Sequence, residues 1–275
     1  YQKSDIHIHL PEGARLVLPK GLSDHQGEIR MQGGVLDAGE QSFVNGQSGR
    51  IVGLGTWRAA SFINHGWMRW TPGQSEVWGS VQNRGGGNLT LESGANVTFK
   101  SALVNEGTLR VDPGAQVSFG GGITLRGLMS VGGKLDVYNT GNVSDLFTMG
   151  GGTIELDGVD SRLVNQGYML ATGRIQGTGT FHNTHHFEVG RGTLELATTG
   201  AVINERLWVV ASGSKLDLVH DTTALVNGHS MLLADGHVGG AGRLLNQGVL
   251  TAQGGVVSSR FTNAGVVVVQ SGALT

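Results

Sequence analysis

The chain has 275 residues, a formal net charge of −2 and a charged fraction of 15%. So few Lys and Arg residues disfavour nucleic acid and anionic membranes as partners, because both need clustered positive charge. Cysteine is absent, which excludes disulfides and thiolate metal sites, and no apolar run reaches 18 residues, so no membrane-spanning helix is predicted. The 48 glycines alternate with Val, Leu, Ile and Thr, a pattern typical of turns between short strands.

Residues 1–42 are the least regular part of the chain. Apolar and polar residues alternate at period two in residues 5–10, 15–18 and 28–31, which predicts half-buried strands. We expect this segment to form irregular first coils or a cap. Its Asp5-x-His7-x-His9 pattern is similar to that of metal-dependent hydrolases, but no barrel or βαβ pattern follows, so a polar-faced strand is the favoured interpretation.

From residue 43 onward one phrase recurs: an apolar residue, any residue, Asn, any residue, and usually Gly. The steps between successive phrases run from 17 to 23 residues, a period that marks a solenoid. Leu125 and Thr148 are placed at the position in the two coils that lack Asn. The predicted structural Asn ladder consists of Asn45, Asn64, Asn83, Asn105, Asn165, Asn183, Asn204, Asn227, Asn246 and Asn263.

Each period contains three short alternating segments separated by turns, as in residues 88–105 and 108–125. This predicts an all-β fold: a right-handed parallel β-helix with three short strands per coil, 17–23 residues per coil and about 12–14 coils. Residues 43–275 form its regular part, continuous with residues 1–42 in a single elongated domain. A β-propeller or a β-sandwich is the alternative, but both need longer strands and blade-length periods.

The repeated residues have structural roles in this fold. Aliphatic residues on one side of each strand stack from coil to coil and form a continuous core. A stacked Asn amide can bond both its own bend and the neighbouring coil. The Gly two residues later is predicted to supply unusual backbone dihedrals.

The Val-x-Asn-x-Gly phrase alternating with Gly-Thr-Leu-x-Leu resembles the passengers of secreted bacterial adhesins, over residues 43–270. The filamentous haemagglutinin type, exported by two-partner secretion, is the closest resemblance, and autotransporter passengers and biofilm-matrix adhesins are similar. The resemblance implies an extracellular or cell-surface location. The Asn-Pro-Asn motifs of that family's secretion domain are absent, so an interior piece of a longer fibre is expected, with neighbouring domains on the same chain.

Four of the five tryptophans fall in two consecutive coils. Flat aromatic faces on a rigid β surface suit stacking against sugar rings. Their parity along the strands differs, so some are expected to face outward. An enlarged apolar core is the alternative. The candidate ligand-binding residues are Trp57, Trp67, Trp70 and Trp78.

A column of carboxylates is the second candidate site. Two pairs, Asp136 with Glu155 and Glu195 with Asp217, are predicted one coil apart on the outer face. That spacing permits the two carboxyls of a retaining glycosidase, and Ca²⁺ binding is another use of such oxygens. A solvated face needs polar residues there in any case, and the sequence places no Lys or Arg beside these pairs in a cleft. We therefore predict no catalytic residue, no metal and no cofactor.

The third candidate site is an anion patch. His185, Arg206 and His229 replace the Gly of the phrase in three consecutive coils. Such a stack can receive an anionic group or respond to mild acidification. Surface decoration is the alternative interpretation, and the central Arg argues against a metal because it has no lone pair.

These observations favour a non-enzymatic β-helical stalk or adhesin segment of a larger secreted protein, which presents binding surface to glycans or proteins of host or bacterial surfaces. A polysaccharide-binding or polysaccharide-degrading β-helix is the first alternative. A self-assembling matrix or coat subunit is the second, because open ends of a solenoid can pair.

Overall fold

A computed structural model of the chain describes residues 3–4 and 6–275, with side chains from residue 6 onward. Within that part the regular elements are β-strands that pair in parallel, without a helix, and they stack as a β-solenoid of about 13 turns. The predicted all-β parallel solenoid is confirmed. No helix of the described residues could cross a membrane. Backbone contacts divide the chain into two compact units, Tyr1–Asn139 and Thr140–Thr275.

The described residues of the first unit, 3–4 and 6–139, form seventeen strands. In chain order they are β1 (Lys3–Ser4), β2 (His7–Pro11), β3 (Arg15–Val17), β4 (Leu22–His25), β5 (Glu28–Asp37), β6 (Ser42–Asn45), β7 (Arg50–Asn64), β8 (Trp67–Trp70), β9 (Gly73–Asn83), β10 (Asn88–Leu91), β11 (Ala95–Phe99), β12 (Leu103–Asn105), β13 (Thr108–Val111), β14 (Gln116–Phe119), β15 (Ile123–Leu125), β16 (Leu128–Val131) and β17 (Lys134–Val137).

The second unit also contains seventeen strands. They are β18 (Thr140–Val143), β19 (Leu146–Leu156), β20 (Arg162–Asn165), β21 (Tyr168–Gly177), β22 (Thr180–Asn183), β23 (His186–Thr198), β24 (Val202–Asn204), β25 (Leu207–Val210), β26 (Ser214–Leu218), β27 (Ala224–Asn227), β28 (Ser230–Leu233), β29 (His237–Gly240), β30 (Arg243–Asn246), β31 (Val249–Gln253), β32 (Val256–Val257), β33 (Arg260–Asn263) and β34 (Val266–Ser271).

Each coil has three faces. Face 1 follows the ladder residue and includes β8, β10, β13 and β16, together with the starts of β5 and β7. Face 2 comes next and includes β11, β14 and β17. Face 3 ends at the ladder residue, as in β12 and β15. In the second unit face 1 includes β25, β28, β31 and β34, and the starts of β19, β21 and β23.

The core lies inside the coils because most strands alternate buried and accessible residues. In β10, Leu89 and Leu91 are buried, and they pair with Leu109 and Val111 of β13. Larger rings fill the interior of both units, with Trp57 and Trp70 in the first unit and Trp208 in the second. The Trp57 and Trp70 rings stack at a centroid separation of 4.9 Å. Like side chains therefore stack on like side chains, which is what makes a short repeat self-supporting.

The asparagines of face 3 form a hydrogen-bonded file inside each unit. Asn83 is fully buried, and its Nδ2 donates to Asn105 Oδ1 at 2.6 Å and to Thr108 O at 3.1 Å. Asn204 repeats the arrangement, donating to Asn227 Oδ1 at 2.7 Å and to Ser230 O at 2.8 Å. Each of these two amides thus bonds the next coil's amide and a backbone carbonyl, so its buried NH2 group is paired.

Two ladder positions differ from the sequence prediction. The prediction places Thr148 in the file, but it lies on face 1 and pairs with Leu170, while Val143 pairs with Asn165. The error arises because that coil lacks the phrase. Only the backbone pairing between coils shows which of its residues stands at the ladder position. In the first unit the file begins earlier than predicted: His25 pairs with Asn45 and is fully buried.

The glycines after the ladder act through close approach rather than through unusual dihedrals. A Cβ on Gly107 would lie 2.2 Å from Gly87 O of the preceding coil, and one on Gly248 would lie 2.1 Å from His229 O. Neither glycine is among those with positive φ. The predicted dihedral role is wrong for these positions, because the constraint is the short distance between stacked turns.

Candidate functional site

The first candidate site lies on face 1 of the first unit. Outward positions there carry Arg30, Arg50, Trp67 and Arg69 on β5, β7 and β8. Register brings them together: Arg50 pairs with Trp67, and Val52 lies between Arg30 and Arg69. A half-open groove of about 460 Å³ runs between these side chains. We name this site the Trp67 groove.

The four candidate tryptophans divide into two groups. Trp67 and Trp78 are 51% and 43% exposed, whereas Trp57 and Trp70 are fully buried. The prediction that Trp57 and Trp70 bind a ligand is therefore wrong: their rings stack on each other inside the coils, which is the enlarged core considered as the alternative. Trp57 and Trp70 stand at inward positions of their strands and Trp67 and Trp78 at outward positions, because successive strand residues point to opposite faces.

Trp78 and Trp67 differ in what covers their rings. Arg58 and Lys100 approach the Trp78 ring, at 5.8 Å and 5.5 Å from its centroid, and Trp78 Nε1 donates to Glu76 at 3.1 Å. These cation–π contacts already occupy the Trp78 ring. Among the described residues no ring or cation contact of this kind involves Trp67. The Trp67 ring is therefore the one open to a ligand.

The charges at the Trp67 groove are mainly positive. Arg30 donates to Glu28, and this hydrogen bond is the main reason that the pKa of Glu28 lies below its ordinary value. Arg69 lies 3.3 Å from Glu92. No ion pair among the described residues includes Arg50, which also lines a neighbouring depression with His7, beside Gln26 and Ser48. The groove therefore presents guanidinium groups next to an open indole.

The carboxylate column is a row of ion pairs on face 2. Asp136 Oδ1 lies 3.0 Å from Lys134 Nζ in the first unit. In the second unit Glu195 pairs in register with Asp217, and its Oε2 accepts from Arg174 at 2.7 Å. The expectation that no Lys or Arg flanks these acids is wrong, because cations two residues away or one coil away share the same outward side.

Several of these acids have further partners. Asp217 Oδ2 accepts from Lys215 Nζ at 3.2 Å. Asp136 accepts from Gln116 and Ser118 at 2.9 Å and 3.1 Å, and it is buried. Glu155 belongs to the second unit, where it pairs with Gln176. No group of three or more His, Cys, Asp or Glu side chains in the described part of the chain is placed to hold a metal ion.

His185, Arg206 and His229 lie in successive stacked turns, and all three are exposed. The stacking is direct: Leu207 N donates to His185 O, and Ser230 N donates to Arg206 O, both at 2.9 Å. The register therefore aligns the three residues in one column, and their side chains extend into solvent.

His7 and His9 of the amino-terminal motif are exposed on β2, where they pair with Glu28 and Arg30. Asp5, the third member of that motif, lies outside the described residues. The two histidines thus point outward from face 1, next to the Trp67 groove. Their partners in register are a carboxylate and a guanidinium, so the arrangement is that of a polar strand.

Comparison with known proteins identifies no relative. No family model matches the chain, and no curated protein and no solved structure matches it. The function must therefore be argued from the chain's own surfaces.

Sequence reasoning missed two parts of the site. It singled out Trp67 but not the arginines around it, because Arg30, Arg50 and Arg69 come from three coils of unequal length. Register alone brings them together. It also missed His25 in the ladder, since His25 replaces the Asn of the phrase and Ser23 stands at its apolar position. Both could have been found by aligning the coils first and then marking every second residue of each strand as outward.

Proposed function

We propose that this chain is a non-enzymatic β-solenoid segment of an extracellular or cell-surface adhesin, in which it acts as a stalk that presents binding surface. One observation carries the proposal. The repeated residues lie inside the coils, in the apolar core and the Asn files. Because these inward residues hold the coils together, the outward residues can differ from coil to coil. Many weak contacts along such a surface add through avidity.

The ion-paired carboxylates support a non-catalytic role. A glycosidase needs one carboxyl kept protonated as an acid, beside a second that acts as base or nucleophile. Glu195 and Asp217 instead each have a cationic partner, Arg174 and Lys215. They lie on the outward side of face 2.

A polysaccharide-active β-helix is the second candidate function, and the Trp67 groove is the observation that favours it. Both candidates bind glycans, but only an enzyme releases product. The experiment incubates the purified chain with acidic and neutral polysaccharides and measures new reducing ends and the ultraviolet absorbance of unsaturated ends. We expect no turnover. Product release that Glu195→Gln or Asp217→Asn abolishes would overturn the stalk proposal.

A second measurement tests whether the chain presents a binding surface that acts through avidity. Beads are coated with the chain at increasing surface density, and their retention on glycan-coated glass is recorded under flow. Avidity predicts that retention rises more steeply than in proportion to density. Self-assembly of the soluble chain with rising concentration, seen by light scattering together with a lack of bead retention, would instead support a matrix or coat subunit.

A further inference from the structure

The Trp67 groove exists because short side chains lie between long ones. Val52 and Gly53 form its floor, and Arg30 and Arg69 extend on either side from the preceding and following coils. Parallel strands lie about 4.8 Å apart, so the two arginine Cα atoms are separated by about 10 Å across Val52. Gly53 cannot carry a side chain, because a Cβ there would lie 1.8 Å from Met31 O. The floor of the groove therefore lies below the arginine side chains on either side of it.

Trp67 forms an apolar wall of this groove. Half of its side-chain surface is exposed, and it pairs in register with Arg50 and Asn88. An exposed indole offers a flat face that buries apolar area at small entropic cost, because only two side-chain torsions must be fixed. Pyranose rings present a matching flat face of C–H groups. The wall suits a sugar ring better than it suits a flexible peptide.

The charged groups of the groove select for anions. Three arginines, Arg30, Arg50 and Arg69, line the groove with one acid, Glu28. A second acid, Glu92, pairs with Arg69 at 3.3 Å, so the arginines exceed the acids by one. The guanidinium of Arg50 has no ion-pair partner among the described residues, and guanidinium groups bind carboxylate and sulfate oxygens with two parallel hydrogen bonds. Gln32 and Thr71 add neutral hydrogen-bonding groups of the kind that sugar hydroxyls use.

We infer that the Trp67 groove binds an acidic polysaccharide, with Trp67 stacked on a sugar ring and Arg50 and Arg69 holding the carboxylate or sulfate groups of adjacent sugars. The depression lined by His7, Gln26 and Ser48, which shares Glu28 and Arg50 with the groove, extends the site for further sugars. The inference rests on the proposed function in naming the ligand class of that binding surface. Three arginines are too few to hold a nucleic acid through its phosphates alone at physiological salt.

The test measures binding of the whole chain to a polyuronate, a sulfated polysaccharide, an uncharged dextran and a single-stranded oligonucleotide, by calorimetry at two salt concentrations. We expect binding to the polyuronate, the sulfated chain or both, and none to dextran. The relative affinity for the first two tells carboxylate recognition from sulfate recognition. Oligonucleotide binding as tight as that of the best polysaccharide would overturn the inference, since a general polyanion surface would explain it.

The variants are chosen in matched pairs. Trp67→Ala should lower the affinity about tenfold or more, since a central aromatic contact carries much of the binding energy. Trp78→Ala, which removes the other exposed tryptophan, should change it less than about twofold. Arg50→Gln should weaken binding and reduce its salt dependence, whereas Arg58→Gln, next to Trp78, should do neither. Circular dichroism and thermal unfolding establish that each variant is folded.

The outcomes separate this inference from the stalk proposal. If Trp67→Ala and Trp78→Ala lose affinity equally, or if the wild type binds no acidic polysaccharide, the groove inference falls. Beads coated with the wild type can still adhere through other faces in that case, and the stalk proposal then stands. If product release is detected while Trp67→Ala loses binding, the groove is right and the non-enzymatic proposal is wrong.

Discussion

Face 1 has opposite surface chemistry in the two units. In the first unit its outward positions carry Arg30, Arg50, Trp67, Arg69 and Arg110. In the second unit the outward positions on face 1 are mostly aliphatic, and they include Leu146, Leu170, Leu207, Val209, Leu232 and Val249. The inward positions are apolar in both. One backbone therefore carries two different surfaces, because period-two alternation separates the residues that build the coil from those that meet solvent.

Removing a large buried ring is expected to lower the free energy of unfolding by a similar amount in both units. This is the largest of the expected effects. Trp70→Ala in the first unit and Trp208→Ala in the second should each cost about 3–5 kcal/mol, since a fully buried indole leaves a cavity. Hydrogen exchange followed by mass spectrometry locates the loosened coils in each case. The exposed Trp67→Ala is the control and should change the free energy of unfolding by less than about 0.5 kcal/mol. A similar loss from Trp67→Ala would contradict the division into inward and outward tryptophans.

The two Asn files should also be equivalent. Asn83→Ala and Asn204→Ala each remove the donor to a part-buried backbone carbonyl and to a neighbouring amide, and leave that buried amide oxygen without its donor. We expect a loss of about 1–3 kcal/mol for each variant in chemical denaturation. Asn88→Ala is the matched control, because its amide bonds only Gly86 O at an exposed site. Equal losses of stability for all three variants would show that the hydrogen bonds of the Asn file stabilise the fold no more than an exposed side-chain hydrogen bond does.

His25 distinguishes the first unit's file from the second's, and its effect should be the smallest. Burial lowers the pKa of His25 from its ordinary 6.5, so the folded chain favours the neutral ring. The resulting stability is complete above the ordinary pKa and is lost as the pH falls below 6.5 toward the lowered value. The thermal midpoint of the wild type should therefore fall further between pH 7 and pH 5 than that of His25→Asn.

At pH 8 the titration no longer contributes, and His25→Asn should be more stable by about 1 kcal/mol at most. The new amide would donate to Asn45 Oδ1, which has no hydrogen-bond partner in the wild type. Identical pH profiles for the two chains would show that His25 is not the titrating group. Lower stability of the variant at pH 8 would show that the imidazole is the better residue at that bend.

The repeated phrase is sufficient to predict the parallel solenoid, because a residue such as Asn165 must stack on Asn183 if each coil is to bury the one before it. Where the phrase fails, prediction fails with it. Thr148 is assigned from sequence to a file in which Val143 actually pairs with Asn165, since a coil without Asn offers no marker for its register.

The sequence by itself determined the fold class, the period and the inward core, because these follow from short-range alternation and from repetition along the chain. Only the tertiary structure decided which tryptophans are open and which arginines stand beside Trp67. Coils of unequal length bring residues 17 to 22 positions apart into contact, and their side-by-side register depends on backbone pairing between coils. The physical reason is that a binding surface on a solenoid is assembled across the strands, while the sequence runs along them.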